Sequence, residues 1–516
     1  MKRSSGILLP VFSLPGKYGI GCFSDAAYRF IDFLKEARQS YWQILPIGPT
    51  GYGDSPYQSF STFAGNPYFI DLEELIRQGL LTEEECVSHG DRFPDSQKAS
   101  QEVSPRDLSL PDIDYGLLYT ERIPLLRKAF SRSPHRETAE FKAFLQENED
   151  WLPDYALFMA VKDAHGGAPC DSWEDDIRAA EPLAKAAWAE RLSEDVAFYE
   201  YVQYEFLREW KRLKAYAAQN GIQIIGDIPI YVSADSADFW ANRELFMLDE
   251  RGRIRMVAGV PPDGFSADGQ LWGNPLYDWK KHAETGYEWW LRRITKCREL
   301  YDVVRIDHFR GFDEFFAIPA GDTSAKNGHW EKGPGLALFT AMRERFGETP
   351  IIAEDLGYMT ETVRQLVKDT GFPNMKVLEF AFDSRDSSGA LEYLPYRYDR
   401  NCAVYTGTHD NETARGWLDS ILPEELQMVK EYLDVRTDDP VEIVERMINA
   451  AQSSVADTCV IPMQDYLALD NSARINHPST NGTNWKWRMS ENVISGDSGK
   501  ALAARIRKLA EVYGRV

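Results

Sequence analysis

The chain has 516 residues, 43% of them hydrophobic and 27% charged, the balance of a soluble globular protein long enough to bury a large core. Its 81 acidic residues outnumber 58 basic ones, and a net charge of -23 argues against nucleic acid or an anionic membrane as a partner, because the mean field repels polyanions. Aromatic residues reach 13%, with 14 Trp and 25 Tyr, more than packing requires and suited to stacking on neutral sugar rings.

The predicted elements alternate. Residues 6–11 read as a first short strand, and nothing before it resembles the apolar core of a signal peptide. No apolar run reaches membrane-spanning length, and the six cysteines (Cys22, Cys86, Cys170, Cys297, Cys402, Cys459) lack any paired spacing. Free thiols and a cytoplasmic location are therefore expected. A helix is predicted over 24–37, with Ser24 or Asp25 as its cap and Ala26, Phe30, Phe33 and Leu34 on one face. Residues 41–46 form the second strand. The loop 48–66 that follows is long enough to be functional, and its Tyr52, Tyr57, Phe60 and Phe63 argue against disorder. Residues 71–220 read as a helical insertion, ending in an amphipathic helix over 195–219, with the run Glu83-Glu84-Glu85 as a solvated face.

Six more apolar runs follow, and most end in polar groups. The third strand, 223–231, carries Asp227, and a second long loop, 257–278, comes after it. The fourth, 301–306, delivers Arg305, Asp307 and His308; the fifth, 350–357, carries Glu354. The sixth, 374–380, leads to Asp383, the seventh, 402–406, to His409 and Asp410, and the eighth is 459–463. Eight buried strands separated by helical stretches predict an α/β fold, a (β/α)₈ TIM barrel with inserted, mainly helical subdomains, in a single catalytic domain over 1–516.

Asp307, Glu354 and Asp410 then sit at the ends of three different strands, on the face where such barrels place their chemistry. Two carboxyls flanking a glycosidic bond suffice for its cleavage, and in the retaining case they stand about 5–5.5 Å apart. Arg305 would hold Asp307 ionised, and burial beside a like charge would keep Glu354 protonated, as a general acid requires. His308 and His409 neighbour two of the acids and suit hydroxyl recognition, although a structural role for each stands open. One such strand alone is equally an ordinary one, with Asp307 capping the next helix and paired to Arg305. A metal held by His308, His409, Asp307 and Asp410 is the competing arrangement, and the interleaved cation of Arg305 argues against it. No nucleophile elbow, phosphate loop or dinucleotide fingerprint occurs among the 36 glycines.

Several stretches carry a resemblance. They are Asp54-Ser55-Pro56-Tyr57, Gly226-Asp227-Ile228-Pro229-Ile230-Tyr231, and Gly269-Gln270-Leu271-Trp272-Gly273-Asn274-Pro275-Leu276-Tyr277. Further on come Arg305-Ile306-Asp307-His308-Phe309-Arg310-Gly311, Ala353-Glu354-Asp355-Leu356-Gly357 and Gly407-Thr408-His409-Asp410-Asn411. In this order they resemble the amylomaltases, or disproportionating 4-α-glucanotransferases, of glycoside hydrolase family 77, over nearly the whole chain. The resemblance implies a barrel without a separate C-terminal β-domain, no metal and no organic cofactor. It implies Asp307 as nucleophile, Glu354 as acid/base and Asp410 as transition-state stabiliser. Tyr57, Asp227, Gln270, Trp272, Asn274, Arg305, His308 and His409 are the implied substrate-binding set, with Tyr57 on the donor side and the 257–278 loop arching over the acceptor side. The implied partners are α-1,4-glucans and glucose, and the protein is expected as a monomer or small homo-oligomer. An α-glucan hydrolase of the α-amylase superfamily is the alternative, since both share the first half-reaction. One departure is Ser479, in Asn476-His477-Pro478-Ser479-Thr480, where the family pattern calls for glycine.

Overall fold

A computed structural model describes residues 2–51, 53–90, 108–262, 268–357 and 359–516. Eight parallel strands close into a barrel: β1 (Ser4–Leu8), β2 (Tyr41–Gln43), β3 (Gln223–Pro229), β4 (Val303–Asp307), β5 (Ile351–Ala353), β6 (Asn374–Val377), β7 (Cys402–Tyr405) and β8 (Thr458–Pro462). Each strand pairs with its neighbours in chain order, and β8 returns to β1 with Ser4 beside Thr458. All eight predicted strands are present, several shorter than the apolar runs suggested. Beyond Leu8, for example, the first run continues as a single 3₁₀ turn, Val11–Ser13.

Period-two alternation sorts the strand residues into two cores. Leu8, Tyr41, Ile225, Val303, Ile352, Met375, Ala403 and Val460, one from each strand, fill the barrel interior. Their neighbours, such as Ile7, Trp42, Ile224, Val304 and Cys459, pack outward against the helices. Being covered on both sides is why these strands read as continuous apolar runs. Gly226 of β3 faces outward, where a Cβ would lie 2.2 Å from the ring of Tyr301, so the helix-side packing admits only glycine.

The predicted first helix spans Asp25–Glu36, with Ser24 at the cap position although its hydroxyl does not cap it. Between β2 and β3 lies the helical insertion. It includes Tyr115–Arg132, Leu152–Ala164 and the long Ser193–Gln219, whose buried Trp210 donates to the Leu300 carbonyl at 3.0 Å. The acidic run opens the helix Glu83–Gly90, and Glu85 is bridged to Arg132 at 2.8 Å and to Lys128 at 3.1 Å.

Where a loop was expected over 257–278, the chain instead forms strands Met256–Val260 and Gln270–Pro275. They join Glu314–Pro319 and His329–Lys332 in a four-stranded antiparallel sheet, ordered Gln270–Pro275, Met256–Val260, Glu314–Pro319, His329–Lys332. Gly and Pro disguised these strands as a loop. Gly259 approaches the Gln270 carbonyl so closely that a Cβ would sit 2.2 Å from it, and Pro275 closes its own strand. Tyr52, and Phe265 of the expected 257–278 loop, an aromatic suited to covering the acceptor side, lie outside the described residues.

The last helix, Gly496–Val512, packs on Asp25–Glu36. Beyond it, the fully buried Arg515 donates to the carbonyls of Ser4 at 3.1 Å and Gln452 at 2.7 Å, while Arg3 donates to Tyr513 at 3.0 Å. All six cysteines are buried free thiols, and no described helix is long and apolar enough to cross a membrane.

Candidate active site

The same alternation that packs the interior builds the site. Ile225 and Asp227 share the inward face of β3, as do Val303, Arg305 and Asp307 on β4, so each strand passes from apolar filler to charge as it rises toward the C-terminal mouth. The register places Arg305 beside both Asp227 and Ile352. Arg305 Nη1 lies 2.7 Å from Asp227 Oδ2 and 3.1 Å from Asp307 Oδ1. Tyr57, from the loop after β2, donates to Asp227 Oδ2 at 2.9 Å and meets His409 Nε2 at 2.8 Å, its ring stacked on the imidazole. His409 Nε2 in turn lies 3.2 Å from Asp410 Oδ2. The loop ends of β2, β3, β4 and β7 are thus joined in one network.

Glu354, just past β5, is gripped by two backbone amides: those of His308 and Leu356 donate to its oxygens at 2.7 Å each. His308 itself sits at φ +54°, in the left-handed region that residues other than glycine visit uncommonly. Trp272 stands edge-on to the His308 ring at 4.7 Å, with its indole N–H on Gln270 Oε1 at 3.1 Å. Asn274 anchors the same strand by donating to the Val232 carbonyl at 2.8 Å.

These groups border a cleft of about 990 Å³. Asp307, Glu354, Asp410, Tyr57, His308, Gln270, Trp272 and Asn274 all line it. Asp227, Arg305 and His409, expected with them, do not border the cleft in this structure. They are 0%, 2% and 3% exposed and sit one layer behind the wall, where Arg305 pairs with Asp227 and Asp307 and His409 Nε2 meets Tyr57 and Asp410.

Burial pushes Glu354 up to about 8, and the nearby charge of Asp307 adds to it, outweighing Arg305 and the two amides. Asp307 is raised to about 6, again first by burial, with Arg305 holding it down against Asp227 and Asp410. Glu354 is therefore the more basic of the two. Asp410 moves the other way: burial would raise it, but His409 and Asn476 hold its carboxyl well below the usual range. His409 is raised by Asp410 against its own burial, whereas burial and Arg310 lower His308 to about 3 and keep it neutral.

Sequence reading missed the support under Asp410. Asn476 Nδ2 donates to Asp410 Oδ1 at 2.7 Å, and Arg474 donates to the carbonyls of Asp410 at 2.9 Å and Asn476 at 2.7 Å. The available signal was the position of Arg474 and Asn476 shortly after β8, the neighbour of β7. Ser479, at φ +64° on the cleft wall, explains why glycine suits that position. Among the described residues no group of three or more His, Cys, Asp or Glu is placed to hold a metal.

A closed parallel barrel that gathers three acids at its C-terminal mouth, two of them driven apart in pKa, defines the class as a barrel enzyme of glycosidic-bond chemistry. The chain belongs to glycoside hydrolase family 77, the 4-alpha-glucanotransferases, which it matches over residues 9–494. It is similar to a 4-alpha-glucanotransferase of Clostridium butyricum, with 45% identity over 507 residues covering 98% of this chain and 99% of that one. A Thermus thermophilus 4-alpha-glucanotransferase is 44% identical over 525 residues, covering the whole of both chains. The solved structure of amylomaltase from Streptococcus agalactiae in complex with acarbose superposes over 100% of both chains, with a TM-score of 0.90 and 40% identity.

Proposed function

We propose that the chain moves α-1,4-glucan segments from a donor maltodextrin to the 4-hydroxyl of glucose or of another glucan, by double displacement. Glu354 protonates the glycosidic oxygen while Asp307 attacks the anomeric carbon; the bond to the leaving glucan breaks and a glycosyl ester on Asp307 forms. The ionised Glu354 then takes the proton of an incoming 4-hydroxyl, whose oxygen displaces Asp307. Asp410, kept anionic by His409 and Asn476, supports the oxocarbenium-like charge in both steps.

The observation that carries this reading is the split acid pair, with Arg305 3.1 Å from Asp307 and Glu354 the more basic partner. Transfer in place of hydrolysis needs an acceptor side that binds sugar and excludes water, which the Gln270–Pro275 strand with Trp272 on the cleft wall favours. The test is the product profile from pure maltotriose. Longer maltodextrins together with glucose, without a net gain of reducing ends, are expected. Only shorter sugars with rising reducing ends would make the protein a hydrolase and overturn the acceptor role.

A further inference from the structure

The helical insertion reaches two residues of the cleft wall, Asp235 and Phe60. Lys162, on the helix Leu152–Ala164, is 7% exposed, and its ammonium reaches Asp235 Oδ2 at 2.5 Å. The other oxygen, Asp235 Oδ1, accepts from the backbone amide of Cys170, also in the insertion, at 3.0 Å. The same ammonium lies 5.0 Å from the centroid of the Phe60 ring, near enough for a cation–π attraction. A buried lysine is uncommon unless paired, and here it fixes a carboxylate and an aromatic ring at once.

Both groups it fixes face the cleft. Asp235, Ser233 and Phe60 line the same 990 Å³ space as the three acids, and the Asp235 side chain remains 27% exposed. Its hydrogen bonds run to the insertion and to its own loop, where its amide donates to Ser233 Oγ at 3.2 Å, and not to the Arg305–Asp227–Tyr57–His409 network. Each carboxylate oxygen has a second lone pair beyond the bond it already accepts, so a partly exposed carboxylate can take hydrogens from vicinal hydroxyls, and a ring beside it covers the apolar face of a pyranose.

We infer that the insertion builds a sugar subsite on the cleft wall, in which Asp235 and Phe60 bind a glucose unit of the chain and Lys162 is the residue that positions them. The subsite rests on the glucan-transfer reading and adds to it a selectivity for longer chains. Lys162 itself is too buried to touch the sugar; it acts through Asp235.

The test compares kcat/KM for maltotriose and maltoheptaose in the parent, Lys162→Met, Lys162→Arg and Asp235→Asn proteins, with urea unfolding run alongside. Losing one charge-assisted hydrogen bond to a hydroxyl is expected to lower the maltoheptaose-to-maltotriose ratio by about tenfold in Lys162→Met and in Asp235→Asn. Lys162→Arg, which keeps the cation, is expected to retain most of the parent ratio. An unchanged ratio in the first two variants overturns the subsite. So does an equal loss on both substrates, which would reduce Lys162 to a structural pair. A parent that elongates neither sugar would instead sink the transfer reading, and the subsite with it.

Discussion

Arg305 serves two masters, and substitution separates them. Arg305→Met leaves Asp227, which is 0% exposed, with the Tyr57 hydroxyl as its remaining side-chain donor. Breaking a buried ion pair by removing one partner costs about 3–5 kcal/mol, a large part of the roughly 5–15 kcal/mol that keeps a domain folded. Replacing both partners with apolar residues removes the stranded charge, so Arg305→Met/Asp227→Leu should recover most of that loss. Activity should not recover. Both variants lack the cation 3.1 Å from Asp307 that opposes the rise in its pKa, and disproportionation of maltotriose should fall by about 10²–10³-fold in each. Urea unfolding and initial rates at one pH measure the two quantities on the same samples. A double variant no more stable than the single one would refute the ion-pair argument. A double variant with restored activity would refute the role of Arg305 beside the nucleophile.

The pH dependence of kcat/KM should be bell-shaped: the reaction needs Asp307 ionised, so rate falls below about 6, and Glu354 protonated, so it falls above about 8. A flat profile across that window would contradict the assignment. Glu354 also makes a stability prediction. A carboxyl whose folded pKa lies above its unfolded value holds its proton more tightly when folded, so stability drops as pH rises from the unfolded value to about 8. Glu354→Gln removes that drop, and its Tm advantage over the parent should grow between pH 5 and pH 9; an advantage constant with pH would exclude the linkage. At φ +64° Ser479 carries a left-handed strain of about 1–2 kcal/mol, so Ser479→Gly, after glycine's own entropic cost of about 0.5–1 kcal/mol, should gain up to about 1.5 kcal/mol in urea unfolding. Any loss of stability would contradict the strain argument.

The barrel was legible in the sequence because parallel strands covered on both faces leave unbroken apolar runs, and because Asp227, Asp307 and Glu354 close three of them. The antiparallel sheet was not. Met256–Val260 is too short to separate from loop by periodicity, and Gln270–Pro275 is interrupted by Gly273 and ends in Pro275. In the site, the three acids could be found from strand ends alone. Which charged residues line the cleft and which stand behind it could not, since Asp227 and Asp307 occupy the same face of adjacent strands and differ only in depth. Contacts such as Asn476 to Asp410 and Lys162 to Asp235 join residues 66 and 73 positions apart through loops whose course leaves no periodic trace.

The ring closes by joining its first strand to its last. Until Thr458–Pro462 exists, Ser4–Leu8 can find only one of its two neighbours, and its other side presents a row of unpaired amides and carbonyls. A growing polypeptide therefore carries an adhesive margin for most of its synthesis, and Arg515 bolts the seam only after the helix beyond β8 has folded back. Yield on refolding should then be governed less by the strength of the finished barrel than by how long that margin waits for its mate.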